Sequence, residues 1–236
     1  MKYLIVANWK MNPASLDEAK RIFNSVSSGL RKVSAKGRSR FSGKNAEVVI
    51  CPPFIYLQAA TEGGGGFAIG SQTCFSKDEG AFTGEISAKM LKNFGCEYVI
   101  IGHSERRVIL KETDHIINKK IKGALKSGLK PILCIDKLSQ VKKGIEGLSQ
   151  GQSQKIILAF EPISAIGTGE PYDISDAKKM NNLFKKNFSK NILLYGGSVG
   201  SKNAKDYIEA GFNGLLVGGA SLNPKEFIQI VNNLNI

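Results

Sequence analysis

No stretch of this chain reaches the roughly 18 uninterrupted apolar residues that a membrane helix needs, so no membrane partner is expected. Met1-Lys2 leads straight into an apolar run and then Asn8-Trp9-Lys10, without the layout of a secretory signal peptide. Cysteine is scarce. Cys51, Cys74, Cys96 and Cys134 are widely spaced with no CxxC pair, and Cys51, Cys96 and Cys134 lie within or beside apolar runs. Buried thiols in a reducing, cytoplasmic setting are the expectation. Acidic residues are outnumbered: 20 Asp+Glu against 33 Lys+Arg leave a net charge of +13. Such a balance attracts anions, either small phosphates or nucleic acid. Much of the excess is diffuse, however. Its densest cluster, from Arg31 to Lys44, carries one aromatic (Phe41) among Ser and Gly. It reads as a solvated loop, and no nucleic-acid partner is expected.

What the chain does have is a rhythm. Eight apolar runs of strand length recur: Tyr3-Ala7, Ala46-Cys51, Phe67-Gly70, Glu97-Ile101, Pro131-Ile135, Ile156-Phe160, Ile192-Tyr195 and Gly214-Val217. They are continuous, not alternating, as parallel strands covered on both faces should be. Helical stretches separate them: Ser15-Lys32, Pro53-Thr61, Ser87-Phe94, Lys111-Ser127, Leu138-Leu148, Ser175-Phe188, Ser201-Ala210 and Pro224-Leu234. Start signals precede several, among them Ser15, Asp173 and Asn223-Pro224. No linker-like composition divides the 236 residues. The expected fold is therefore α/β, a single (β/α)8 barrel spanning 1–236 as one domain. The fifth helix looks trimmed and followed by a polar loop, Gly147 to Ser153. Gly63 to Gly66 precede a strand, so they suit a return turn and not a phosphate-binding helix start.

Catalytic groups of such a barrel sit at the C-terminal ends of its strands. That rule selects Asn8 and Lys10, His103, Glu161, Gly196-Gly197-Ser198 and Gly218-Gly219-Ala220-Ser221. The paired glycines leave backbone N–H groups open to an anion, and a short helix after Gly219 would add its positive end; two ordinary tight turns are the plain alternative. His103 is one of two histidines; His115 lies mid-helix and reads as a surface residue. Ser104 can cap the helix after His103, whose positive end disfavours imidazolium and leaves a neutral donor; a structural histidine is the alternative. Glu161 sits between Phe160 and Pro162 before an apolar, Gly-rich loop. Partial desolvation there raises basicity, though a strand-end salt bridge would also fit. Lys10 suits either a Schiff base or, better, a cation facing phosphate or enolate. The long connection from Gln72 to Gly84, closed by Glu85, is too long for a βα loop without a role: lid, subunit contact or idle surface. A base beside an electrophile suits proton abstraction next to a carbonyl.

The segments Asn8-Trp9-Lys10-Met11-Asn12, Gly80 to Ser87, Gly102 to Arg107, Glu161-Pro162 with Ala165 to Gly169, Tyr195 to Val199 and Leu216 to Leu222 occur together and in this order. Carrying them, the chain resembles the triosephosphate isomerase family over nearly its whole length. The resemblance implies interconversion of dihydroxyacetone phosphate and glyceraldehyde 3-phosphate, in glycolysis and gluconeogenesis, without cofactor or metal. It implies Glu161 as the base, His103 as a neutral electrophile, and Asn8 and Lys10 as enediolate and substrate contacts. Glu105 would support Lys10, with Ser104 and Tyr195 also supporting. Gly167, Ser198, Gly218 and Gly219 would bind the phosphate. That pairing of a basic carboxylate with a neutral imidazole is the general description of that family and is implied here by the resemblance, not by spacing. The loop Gln72–Glu85, with Thr83, would dock into a second subunit of a homodimer. Departures from the family pattern are Ser164 for Trp and Lys137 for Glu, whose joint absence implies a differently held open lid, Glu170-Pro171-Tyr172 for Lys-Thr-Ala at its second hinge, and Thr73 for Asn in the dimer loop, which bears on the interface. Another sugar-phosphate isomerase or an aldolase on a phosphate-binding barrel is the alternative.

Overall fold

The computed structural model describes residues 3–33, 41–42, 46–62, 65–165 and 170–234. Its eight parallel strands are β1 (Tyr3–Asn8), β3 (Ala46–Cys51), β4 (Ala68–Ser71), β5 (Tyr98–Ile101), β6 (Lys130–Ile135), β7 (Ile157–Phe160), β8 (Leu193–Tyr195) and β9 (Gly214–Val217). Each pairs with the next in chain order, and β1 pairs with both β3 and β9, which closes the barrel. The sequence expectation of a (β/α)8 barrel holds. One strand went unread. β2 (Phe41–Ser42) pairs antiparallel with Glu47 and Ala46 at the start of β3; two residues within a basic, polar stretch carry no periodic signal. The heart of that stretch, 34–40 and 43–45, lies outside the described residues, as do Gly63 and Gly64.

Side chains of a strand point alternately to its two faces, so each barrel strand feeds two cores. Leu4, Val6, Val49, Ile100, Ile132, Ala159, Leu194 and Leu216 fill the interior, with Cys51 and Cys134 among them. Their neighbours Ile5, Ala7, Val48, Ile50, Val99, Leu133, Leu158 and Leu215 face outward into the larger core under the helices. All four cysteines are buried and free.

The helices are α1 (Leu16–Val33), α2 (Leu57–Glu62), α3 (Ala88–Asn93), α4 (Ser104–Val108), α5 (Asp114–Lys126), α6 (Leu138–Gly144), α7 (Gln150–Ser153), α8 (Ile174–Asn187), α9 (Ala204–Glu209) and α10 (Pro224–Asn233). Three of the start signals act as read. Ser15 Oγ accepts from Glu18 N–H, Asp173 Oδ1 from Ser175 and Asp176 N–H, and Asn223 Oδ1 from Lys225 and Glu226 N–H ahead of Pro224. The stretch read as one helix from Lys111 begins only at Asp114, because Thr113 caps it; His115 is consequently exposed in the first turn and not mid-helix. Past α6, the supposed polar loop contains α7, nucleated by a reciprocal Ser149–Gln152 capping box.

Closure leaves no slack at its last seam. A Cβ on Gly214 would lie 1.9 Å from the Leu4 carbonyl oxygen. Gly214→Ala is expected to cost at least about 1–3 kcal/mol of unfolding free energy, read as a lower urea midpoint. Gly151→Ala, where a Cβ meets nothing within 4 Å, should leave the midpoint in place or raise it.

Candidate active site

Three neighbouring strands set the position of the carboxylate. The β6–β7–β8 ladder overruns the strands by one residue: Glu161 N–H donates to Ile135 O at 2.8 Å, and Gly196 N–H to Phe160 O at 2.8 Å. Glu161 is thereby held at the barrel mouth with its backbone fixed, the residue 5 % exposed. From the end of β5, Gly102 turns the chain at φ 73° and delivers His103. Their side chains meet: Glu161 Oε1 and His103 Nε2 are 3.2 Å apart.

The imidazole is oriented from its other side. His103 Nδ1 accepts from Glu105 N–H at 3.2 Å, so the ring proton sits on Nε2, toward Glu161. In doing so His103 is itself the N-cap of α4. This corrects the assignment of the cap to Ser104, which is the first helical residue and whose Oγ has no partner. A side chain with an acceptor nitrogen one position earlier reaches the first free N–H groups equally well. Arg107, a support that sequence reasoning missed, pins the turn by donating to Gly102 O at 2.6 Å, Cys134 O at 3.2 Å and Asp114 Oδ1 at 2.7 Å.

Burial raises the Glu161 carboxyl above its ordinary value; His103, the Cys134 thiol, the Ser104 N–H and Lys10 pull it back only in part. Oε2 has no partner in hydrogen-bond geometry, although the Cys134 thiol and Ser104 N–H lie close enough to favour the charged form. A poorly solvated carboxylate with one free oxygen is a strong base for its kind. The Cys134 thiol is in turn pushed up, by burial first and by the Glu161 charge second.

Lys10 adopts φ 54°, a conformation uncommon outside glycine. Asn8 Oδ1 accepts its N–H at 3.1 Å, and Gln72 Nε2 donates to both Lys10 O at 2.8 Å and Cys51 O at 2.9 Å. Its ammonium reaches Glu105 Oε1 at 2.6 Å, while its Cε would lie 3.5 Å from a Cβ on Gly218. The cation therefore spans from α4 to the end of β9.

Beside Glu161, at the end of the neighbouring β8, lies the first pair of glycines. Gly196 and Gly197 crowd against Glu161 Cγ, Leu216 and the Tyr195 hydroxyl, where a Cβ would come within 3.2 Å or less. After β9, a 3-10 turn runs from Gly219 to Leu222, the short helix expected there. Asn8, Lys10, His103, Glu161, Ser198, Gly218 and Gly219 line one cavity of about 520 Å³. Ser198 is at φ 49° and its Oγ is already spent on Ala165 O at 2.7 Å, which leaves its N–H as the group to offer an anion. Tyr195 stands behind the wall and not on it. Gly167 lies outside the described residues, with the rest of 166–169 and the Ser164 side chain. Exposed Lys137 lines a second, smaller cavity of about 200 Å³ on the far side of Glu161, beside Cys134, Asp136 and Ile163.

The long loop is anchored through a buried ion-pair cluster that no sequence signal announced. Glu112 Oε1 accepts from Arg106 Nε and Lys120 Nζ, each at 2.6 Å, and Lys120 Nζ also donates to Thr73 Oγ1 at 3.0 Å. Burial pushes the Glu112 carboxyl up, but Lys120 and Arg106 outweigh it and hold it below its ordinary value. A depressed carboxyl contributes stability that is present above the ordinary carboxylate range and lost as pH falls through the folded value. Glu112→Gln strands Lys120, which is 4 % exposed, and should cost about 3–5 kcal/mol at pH 7. The gap to wild type should narrow in acid; urea unfolding at pH 7 and pH 3.5 checks both.

A family model for triosephosphate isomerase matches residues 3–234. The triosephosphate isomerase of Aquifex aeolicus is 41% identical over 256 residues, covering 98% of this chain and 99% of the relative. That of Marinobacter nauticus is 38% identical over 250 residues, covering 96% and 95%. A solved structure of triosephosphate isomerase from Bartonella henselae superposes with a TM-score of 0.83 at 29% identity, covering 99% of both chains.

Proposed function

The chain belongs to the triosephosphate isomerase family, and from that premise we propose how its residues divide the work of the reaction. The reaction is the interconversion of dihydroxyacetone phosphate and D-glyceraldehyde 3-phosphate, a step of glycolysis and gluconeogenesis. The observation that carries the assignment is the 3.2 Å approach of Glu161 Oε1 to His103 Nε2 over a cavity shared with both glycine turns.

Glu161 removes a proton from the carbon beside the carbonyl and returns it to the neighbouring carbon. His103 donates Nε2–H to the carbonyl oxygen as negative charge develops there. Lys10 and Asn8 stabilise the enediolate, and Glu105 holds the ammonium in place. Backbone N–H groups at Ser198, Gly218 and Gly219, with Gly167, take the phosphate; Ser104 and Tyr195 support from outside the cavity. General-base catalysis contributes about 10²–10⁴-fold, and a well-placed oxyanion donor about 10²–10³-fold, so both are needed for a weak carbon acid. The scheme needs no cofactor or metal. An aldolase would need Lys10 as a desolvated neutral amine, whereas its Nζ is ion-paired with Glu105 at 2.6 Å.

The same reading makes the chain one barrel domain over 1–236, a homodimer through Gln72–Glu85, and a cytoplasmic enzyme. Supporting the dimer, the loop tip is exposed, Phe82 rests on Phe75 at 4.7 Å between ring centroids, and Met11 is 94% exposed. Supporting the location, no helix among the described residues is long and apolar enough to cross a membrane, and the described cysteines are free thiols.

A coupled assay with glyceraldehyde 3-phosphate should show Glu161→Gln losing at least about 10²-fold in kcat; near-full activity would overturn the assignment. Wild-type kcat/KM should fall as pH drops through the raised Glu161 value. A raised carboxyl binds its proton more tightly folded than unfolded, so its contribution to stability declines as pH rises through that value. Glu161→Gln should accordingly be no less stable than wild type at pH 7.

A further inference from the structure

Behind the Gly196-Gly197-Ser198 turn, Tyr207 of α9 is wholly buried and lies flat against Tyr195, ring centroids 3.6 Å apart and planes at 12°. Its hydroxyl donates to Tyr172 O at 2.8 Å. Tyr172 meets Phe160 edge-on at 6.0 Å, and Phe160 is the residue before Glu161. On the other side, the Tyr195 hydroxyl oxygen lies where a Cβ on Gly197 would come within 2.8 Å, so it sits directly beneath that glycine. One side chain thus touches the ring under the anion turn and the carbonyl of a residue whose own ring packs on the strand leading to Glu161. An aliphatic residue of similar bulk would fill the space without offering a flat ring to stack on or a hydroxyl for the carbonyl.

Resting on the site roles given above, we propose that Tyr207 is a positioning residue for the substrate phosphate: through Tyr195 and the Tyr172 carbonyl it holds the Gly196–Ser198 turn at a fixed distance from Glu161. It touches neither substrate nor the reacting atoms. Its effect is confined to the phosphate end, so it discriminates a phosphorylated triose from its unphosphorylated analogue.

Two variants separate this from packing alone. Tyr207→Phe keeps the stack and removes the hydroxyl; Tyr207→Leu removes both. The readouts are KM and kcat for glyceraldehyde 3-phosphate, kcat/KM for unphosphorylated glyceraldehyde followed by NMR, and affinity for inorganic phosphate by calorimetry. Loss of one neutral hydrogen bond corresponds to about 2–10-fold, so Tyr207→Phe should raise KM and weaken phosphate binding by that factor. Its kcat and its activity on glyceraldehyde should change less than about twofold, and Tyr207→Leu should show the larger loss of the two. Phosphate affinity within twofold of wild type in both variants, or equal losses on both substrates, overturns the proposal whatever happens to Tm. Should Tyr207→Leu not fold, Tyr207→Phe decides alone. Calorimetry does not depend on turnover, so a wild type that binds phosphate yet isomerises nothing would refute the site roles and not this one.

Discussion

A carboxylate nearly sealed from water, with one donor opposite it, is the constraint around which the barrel mouth is built. Charge in such a place is costly, and the molecule reduces the cost only in part. The ladder bonds from Glu161 N–H to Ile135 O and from Gly196 N–H to Phe160 O fix the backbone on either side. The carboxylate is thereby presented from a backbone that stays put. His103 is fixed just as firmly, by the bond from Glu105 N–H to Nδ1. Glu161 and His103 face each other across 3.2 Å with two separate backbone networks holding them there.

A second layer keeps these networks in register, and it is shared between functions. Arg107 ties the His103 turn to β6 through Cys134 O, the strand next to the one bearing Glu161. Gln72 does the same for Lys10, joining its strained carbonyl to Cys51 at the end of β3. Gln72 also begins the long connection whose base is clamped by Thr73, Lys120 and Glu112. Distortion of that exposed loop would be passed to the backbone of Lys10.

The barrel, and most residues that line the candidate cavity at its mouth, were legible in the sequence because their signals are local. Doubly buried strands read as continuous apolar runs, and a residue placed just past such a run must emerge at the mouth. Helix starts at Asp173 and Asn223 were legible for the same reason. The His103 cap was not, since a histidine with one acceptor nitrogen carries no preference that a single sequence reveals. Gln72, Tyr207 and the Arg107 contact to Cys134 were not legible as supports either, because each acts across tens of residues, and Glu112 was not because its partners Arg106 and Lys120 meet it only once the turn between α4 and α5 is folded. The departures at Thr73 and Tyr172 take on meaning in the same way. Thr73 accepts from Lys120, and Tyr172 packs on Phe160 and accepts from Tyr207.

Consider finally the seam where Leu4 pairs with Gly214. β1 leaves the ribosome about 200 residues ahead of β9, its partner at that seam. At the usual pace of about 5–20 residues per second, one edge of β1 stays without a partner for roughly 10–40 s during synthesis. Over that interval the nascent chain is an open, largely apolar sheet with a bare margin, the form most prone to pair with a stranger. Closure of that seam, and not only the stability of the finished molecule, then bears on how much of the chain folds intact.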